Sequence, residues 1–509
     1  MQDLPGQHRS LWTVDVEPGT YPPLHDDVTV DVAVVGGGIT GATTALLCKD
    51  AGLTVALLEA DRIGSGTTGG TTGKVTSQHG LFYASAIADL GEATARAYGE
   101  ANQAALPMLE ELSDRHDVDA YASRLPSFVY TGDPARVPDL RDEAEAAGRL
   151  GLPASFVDTV DLPFEVAGAV RFDDQLQIHP TRLLHGFVRA IDGGGSTVHE
   201  HSRVVNISED GDIVEVRTEQ ATVRARHVIV ATLLPILDRG FEFARTRPVR
   251  AYGIAVELDG ELPEPMYISA ESPKRSLRHY HGDEGAYLVV VGENHETGHG
   301  DHLENHYGAL IDFAREHFPV RSVAYRWSAQ DYKPVDGMPY VGPLRFADHI
   351  QIATGFNKWG LSNGVVAAWI MSDNILERPN PWAEVFDANR GHALGRYADL
   401  VKDNLHVAKR FLADRIEVPI GASTSEIGPG EGRVIRVGGR PIAVHRTPDG
   451  DLRAVDATCT HLGCLVAWND AETSWDCPCH GSRFAPTGDV LTGPAIAPLQ
   501  PVEDDLTDA

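Results

Sequence analysis

Apolar positions along this chain fall into blocks whose spacing changes from one region to the next. Residues 28–35 form an almost unbroken β-branched run and predict a buried strand. Glycines 36, 37, 38 and 41 interrupt it. Residues 42–51 have helical composition, and 53–59 predict a second strand. The first sixty residues therefore contain a strand–helix–strand unit. Residues 84–116 and 138–150, rich in Ala, Glu, Arg and Leu, predict helices. Between about 160 and 330 the pattern shortens to strands and turns, with strands expected at 204–207, 213–216, 227–231 and 286–291. A helix is expected over 362–376. Residues 379–418 read as a helical connection, and a Gly-rich strand-and-turn module runs from Gly428 to about 503, so a domain boundary falls near 418. Residues 1–27 are polar, contain several prolines and read as an arm.

Composition narrows the picture. A chain of 509 residues is too long for one core and predicts two to three domains. Its net charge of −30 would repel phosphate, which argues against nucleic acid and suits a basic redox partner or a cationic substrate. No run of about 18 apolar residues occurs, so no transmembrane segment is expected. The N-terminus lacks the basic-then-apolar order of a signal peptide, so a cytoplasmic protein is expected. Of the five cysteines, Cys48 stands alone on the first helix, where a small buried residue is expected. The other four crowd between 459 and 479 beside two histidines. That is a metal-site pattern, not a secreted disulfide scaffold.

Gly36, Gly38 and Gly41 form G-x-G-x-x-G between strand and helix. They allow a tight turn, close approach of a pyrophosphate, and close helix–strand packing. The helix N-terminus offers free N–H groups to phosphate. Glu59, 18 residues past Gly41, stands where an acid binds the adenosine ribose. Four stretches then resemble the flavoprotein family of D-amino-acid, glycine and sarcosine oxidases and dimethylglycine dehydrogenase. They are the fingerprint with Glu59 and Arg62; the Gly- and Thr-rich loop 64–73 with Thr67 and Thr68; the strand ending at Thr232, with Val205 before it; and Asp336 to Gly342 followed by Ala353 to Leu361, which contains Gly355, Lys358, Trp359, Gly360 and Leu361.

This resemblance implies FAD and oxidation beside an amine nitrogen. It also implies an α/β Rossmann-like FAD-binding domain interleaved with an α+β substrate domain over 28–390. FAD-binding segments are expected at about 28–85, 180–240 and 330–380, and substrate segments at about 86–179 and 241–329. Gly70 stands where dimethylglycine dehydrogenases carry a flavin-linking histidine, so non-covalent FAD is expected; His79 is a weaker attachment point. Arg278 is a candidate for holding a substrate carboxylate bidentately, against the alternative of a surface arginine. Lys358 and Trp359 are candidates for lining the flavin ring, and no catalytic base is assigned.

At the other end the pattern is Cys459-Thr-His461, fifteen intervening residues, then Cys477-Pro-Cys-His480. Two cysteines suit one iron of a [2Fe–2S] cluster and two histidines the other; a Cys₂His₂ zinc site uses the same ligand types. Cys464 and Cys479, one in each loop, Gly481 to Phe484, and Thr492 to Ala495 resemble the Rieske proteins of respiratory and photosynthetic cytochrome complexes. The resemblance implies an all-β Rieske domain over 419–504, reached by a helical linker over 379–418. Its ligands would be Cys459, His461, Cys477 and His480, and a disulfide would join Cys464 to Cys479. Ser482 would donate to a cluster sulfur. Phe484 replaces the usual tyrosine donor, which lowers the expected potential.

His295-Glu-Thr-Gly-His299 matches H-E-x-x-H, but it follows a strand-like run, contains Gly298 and reads as a loop; a zinc peptidase needs it on a helix. The whole chain is similar to FAD-dependent oxidoreductases with a C-terminal Rieske domain. The expected circuit runs from a small amine or amino-acid-like substrate to FAD, to the cluster, and on to a protein or quinone acceptor, with the histidine edges as the electron gateway. A dehydrogenase is expected in preference to an oxidase. The alternatives are a Rieske domain that feeds electrons to the flavin, as in a reductase or monooxygenase, and an electron-transfer or redox-sensing protein without a small substrate.

Overall fold

The computed structural model describes residues 4–14, 16, 19–283, 285–390 and 424–502. Of the helical connection expected over 379–418, residues 391–418 lie outside the described residues; the part before them holds the short helix Ala383–Phe386.

The first unit folds as strand Val28–Val35, helix Ile39–Asp50 and strand Val55–Leu58. The two strands pair in parallel. Thr197–His199 extends the sheet on one side, and Thr222–Val230 and Ile350–Thr354 extend it on the other. Alternate residues enter opposite layers. Val32, Val34, Val55 and Leu57 pack among the helices, while Ala33, Val35, Ala56 and Leu58 pack against the hairpin that carries Val214 and Val216. Both faces are covered, which is why these strands read as continuous apolar runs. Helix Gly360–Ile375 lies across helix Ile39–Asp50. A Cβ at Gly364 would stand 2.6 Å from Thr40 Oγ1, so glycine is what lets the two helices close.

The predicted helix over 84–116 divides at Gly91, whose φ of +89° separates Tyr83–Leu90 from Glu92–Arg115. A second, ten-stranded sheet is built on the long antiparallel strands Thr246–Leu258, Gly285–Glu296 and Val320–Pro334. Helix Asn305–His317 covers one of its faces. His295 and Glu296 end a strand instead of lying in a loop, and His299 follows in a turn, so no helix carries the H-E-x-x-H run. The N-terminal arm is integral to this sheet: Gln7–His8 pairs with Tyr325 and Arg326, and Trp12 is fully buried.

Residues 424–502 form two small antiparallel sheets. One is Gly432–Val437, Arg440–Arg446 and Leu452–Asp456; the other is Ala467–Asn469, Ser474–Asp476, Arg483–Phe484 and Val490–Thr492. Trp475, Phe484 and Leu499 share their core with four cysteines. Among the described residues, no helix is long and apolar enough to cross a membrane.

Candidate functional site

A cavity of about 460 Å³ opens where the parallel sheet, the large antiparallel sheet and the C-terminal module meet. At one end lies the glycine turn. Gly36 has a φ of +110°, and a Cβ on it would stand 2.5 Å from the Ala231 carbonyl oxygen. A Cβ on Gly41 would stand 2.0 Å from the Gly36 carbonyl oxygen, which makes Gly41 a packing glycine between helix and turn. The first N–H of the helix, on Ile39, donates to Thr68 Oγ1 at 3.1 Å. Glu59 accepts from Gly37 N at 2.7 Å and from Asp61 N at 3.0 Å, and burial raises its pKa.

Of the predicted cofactor residues, Gly36, Gly38, Glu59, Thr67, Thr68, Thr232, Gly360 and Leu361 line this cavity, together with Lys358. Val204 lines it where Val205 was expected, because a one-residue step on a strand turns the side chain to the other face. Arg62 is exposed and outside the lining. Gly355, with a φ of +74°, sits in the turn packed on Pro334. Trp359 is stacked on His79 with centroids 4.7 Å apart. His79 is itself held by Tyr98 Oη at 2.6 Å and the Thr76 carbonyl at 2.8 Å, so both rings belong to the packing behind the cavity. Arg278 is neither a cavity residue nor a surface one. It is buried, gives its guanidinium to the carbonyls of Thr72, Ile178 and His279, and lies 5.1 Å from the Trp12 ring. At Gly70 a Cβ would meet that of Ala329 at 2.9 Å, which leaves no room for a flavin-linking side chain.

Sequence reasoning missed five charged residues in the lining: Asp61, Arg203, Arg250, Asp331 and Arg483. Asp331 is buried, and desolvation raises its pKa to about 6 although its carboxylate accepts from Tyr332 N and Lys358 N. Lys358 opens onto the cavity with its Nζ bonded to Asn294 Oδ1; desolvation, partly opposed by Asp331, lowers its pKa to about 7. Asn357 and Lys358 have φ of 51° and 72°, a left-handed pair that aims this loop at the cavity. For Arg250 and Asp331 a charge within a long strand was the available signal, but only strand register reveals that they converge.

In the C-terminal module, Cys464 and Cys479 form a disulfide, and Cys459 and Cys477 are buried free thiols within hydrogen-bonding reach of each other. The sulfurs of Cys464, Cys477 and Cys479 lie within 4.8 Å of one another, but the disulfide leaves only Cys477 able to bind a metal in that trio. The rings of His461 and His480 approach edge to face with centroids 5.1 Å apart. Ser482 Oγ accepts from Ala495 N at 3.0 Å and hydrogen-bonds to Cys459. Two thiols and two imidazoles at the tip of one small β module are the donor set of a [2Fe–2S] centre with mixed ligation.

Comparison with known proteins agrees. The family described as FAD dependent oxidoreductase matches residues 31–374. The chain belongs to that family. A Rieske [2Fe-2S] domain matches residues 418–503. YhfW of Bacillus subtilis (strain 168), named as a Rieske 2Fe-2S iron-sulfur protein, is 35% identical over 97% of this chain and 98% of its own length. Gamma-glutamylputrescine oxidoreductase of Escherichia coli (strain K12) is 32% identical over 42% of this chain and 50% of its own. The glycine oxidase structure from Geobacillus kaustophilus has the same fold, with a TM-score of 0.59 and 19% identity over 72% of this chain and 99% of that one. The chain is thus a flavin oxidoreductase whose domains imply FAD and a Rieske [2Fe–2S] cluster.

The Rieske module is docked on the flavoprotein body through buried charge. Arg250, which is 1% exposed, lies 3.8 Å from Glu472 and 4.0 Å from Asp476. Asp476 also accepts from Arg483 Nε at 3.0 Å. Burial alone would raise the Glu472 pKa, but His8 and the two arginines hold it down to about 2. Arg203 Nη2 donates to the Val490 carbonyl at 2.8 Å. Arg483, Thr492, Gly493 and Ala495 of the module form part of the wall of this cavity. The glycine turn, the helix N-terminus and Glu59 fit a dinucleotide, and the cavity extends from them to the second sheet.

Proposed function

We propose that this protein oxidises a C–N bond of an amine or amino-acid-like small molecule and passes the electrons to its own Rieske cluster and then to an external acceptor. The observation that carries this reading is the shared wall: the cavity lined by the glycine turn and Glu59 is also lined by Arg483, Thr492 and Gly493 of the Rieske module. An oxidase that returns electrons to oxygen has no use for a cluster at that position, which favours a dehydrogenase.

The residues divide the work as follows. Gly36, Gly38, Glu59, Thr67, Thr68, Thr232, Gly360 and Leu361 bind FAD without a covalent link. Cys459, His461, Cys477 and His480 hold the cluster, and the Cys464–Cys479 disulfide ties their two loops together. FAD supplies hydride acceptance and release of electrons one at a time. Ala251, Val291 and Ala329 give part of the cavity a small apolar wall, and Lys358 offers a positive charge to a substrate carboxylate at and below pH about 7. The flavoprotein body spans 28–390, with the FAD-binding and substrate segments alternating, and the Rieske domain spans 419–504.

The test is an anaerobic titration of the holoprotein with amines, amino acids and N-methyl amino acids, following flavin absorbance and the cluster's paramagnetic signal together. One compound is expected to bleach the flavin, with the reduced-cluster signal rising after it. If no compound bleaches the flavin while a chemically reduced cluster passes electrons to it, the flow runs inward and the amine reading is wrong.

A further inference from the structure

One strand reaches both cofactor sites. On Val320–Pro334, Gln330 and Tyr332 are 4% and 1% exposed. Their main-chain carbonyls serve the flavin side: Thr67 Oγ1 donates to the Gln330 carbonyl at 2.6 Å, and Asn357 N donates to the Tyr332 carbonyl at 3.1 Å. Thr67 and the residue after Asn357, Lys358, both line the FAD cavity, and so does Gln330. Their side chains serve the cluster side. Tyr332 Oη donates to the His480 carbonyl at 2.8 Å, and Gln330 Nε2 donates to the Gly481 carbonyl at 2.8 Å. Gln330 Nε2 also donates to Tyr332 Oη at 3.2 Å, and Gln330 Oε1 accepts from Thr297 Oγ1 at 3.0 Å, so the amide is fixed at both ends.

The cluster loop is shaped to be gripped there. Gly481 has a φ of +73°, and a Cβ on it would stand 2.5 Å from Pro248 Cβ, 2.7 Å from Gln330 Nε2 and 2.9 Å from Tyr332 Oη. Phe243 closes the other side, its ring centroid 4.9 Å from that of His480 and 5.6 Å from that of His461. The cluster's histidine edge is therefore turned in part toward the flavoprotein body, and His480 is only 5% exposed.

We propose that Gln330 and Tyr332 are positioning residues for electron hand-off between the two cofactor sites within one chain. They clamp the His480–Gly481 peptide to the strand that forms the FAD cavity wall, so that the path from cavity to cluster ligand crosses covalent bonds and short hydrogen bonds instead of an open gap. Electronic coupling falls steeply with each through-space gap, and a docked module free to shift would lose it. The inference rests on the electron path proposed above. Per substrate molecule two electrons cross, one at a time. Each reduces the cluster's one reducible ferric iron to ferrous, a one-electron acceptor reoxidises the cluster between them, and the substrate's protons go to water.

The experiment uses full-length holoprotein and a pulse of photogenerated deazaflavin radical, which reduces either cofactor first. The readout is the rate of the subsequent re-equilibration between flavin and cluster, a phase independent of protein concentration. Tyr332→Phe removes one hydroxyl and keeps the packing; Gln330→Leu removes the amide. Both are expected to slow that phase several-fold, while the paramagnetic signal of the reduced cluster and both midpoint potentials stay as in the wild type; Tyr332→Phe, at a residue outside the cavity lining, also keeps the FAD content of the wild type. A clamp that serves stability alone would lower the melting temperature and leave the phase unchanged, which would overturn the proposal. If the wild type bleaches with an amine and passes electrons to the cluster, and the variants transfer at its rate, this inference falls and the proposed function stands. If the wild type has no re-equilibration phase, both fall.

Discussion

Replacing Trp12 by alanine is expected to loosen FAD without touching the cavity. Trp12 is 0% exposed, lies edge-on to Tyr280 and His179 at 5.1 and 5.3 Å, and has the Arg278 guanidinium 5.1 Å from its ring. Truncating so large a buried ring costs about 3–5 kcal/mol, and the lost cation–π contact adds about 1 kcal/mol. Most of this falls on docking of the arm itself. What reaches the cofactor is the arm's grip on the loop that lines the cavity: Ser10 Oγ donates to the Gly69 carbonyl and Trp12 Nε1 to the Thr71 carbonyl, each at 2.5 Å. At about 1 kcal/mol for each hydrogen bond, undocking the arm removes about 2 kcal/mol from the FAD-binding form of the loop, or about 30-fold in Kd. Trp12→Phe keeps most of the packing and loses one bond, for about fivefold.

The assay is FAD binding to the apoprotein by calorimetry, with the off-rate read from recovery of free-flavin fluorescence on dilution. Thermal melting is measured alongside. A Trp12→Ala protein that melts earlier but binds FAD within twofold of wild type would refute the reasoning, because the arm would then stabilise the sheet edge without holding the loop.

Arg390 donates to both carboxylate oxygens of Asp336 at 2.9 Å and to the carbonyls of Met338 and Pro339 at 2.6 Å, all buried, so Arg390→Met leaves an unpaired buried acid. The expected cost is about 3–5 kcal/mol, read as a lower denaturant midpoint; an unchanged midpoint would remove this pair from the stabilising contacts. Asp331 has a folded pKa raised to about 6, so its contribution is full below its unfolded value near 3.8 and is lost as pH rises through about 6. Apoprotein stability measured by denaturant across pH 4–6 should show that loss, Asp331→Asn should flatten it, and a wild-type profile already flat there would count against the buried-acid account. Phe484 is fully buried beside Cys459 and Cys477, and Phe484→Tyr adds a donor near the cluster sulfurs, so a redox titration should find a higher potential. A potential that stays put or drops would mean that this donor does not reach the sulfurs.

Local sequence determined whatever depends on neighbours along the chain. The strand–glycine–helix unit at 28–59 was legible because both faces of its strands are buried, which makes an apolar run too regular to mistake. The metal-site pattern at 459–480 was legible because its cysteines and histidines lie in two short loops whose spacing is fixed by a hairpin. The helix break at Gly91, the side of the strand on which Val204 stands, and the strand that takes in His295 were not legible to the residue, since a single left-handed φ or a one-residue register step decides them.

Tertiary structure alone decided the contacts between segments hundreds of residues apart. The arm read as a polar tail, yet its Trp12 anchors it beneath Arg278, whose guanidinium is bonded to main-chain carbonyls. Arg250 belongs to no sequence motif, but it faces Glu472 and Asp476 across a domain boundary. No periodicity encodes that meeting, because the pattern of apolar and polar positions records only which side of an element is buried. Which other element buries it, and so which cofactor site adjoins which, is fixed by the shapes that fit together once all elements exist.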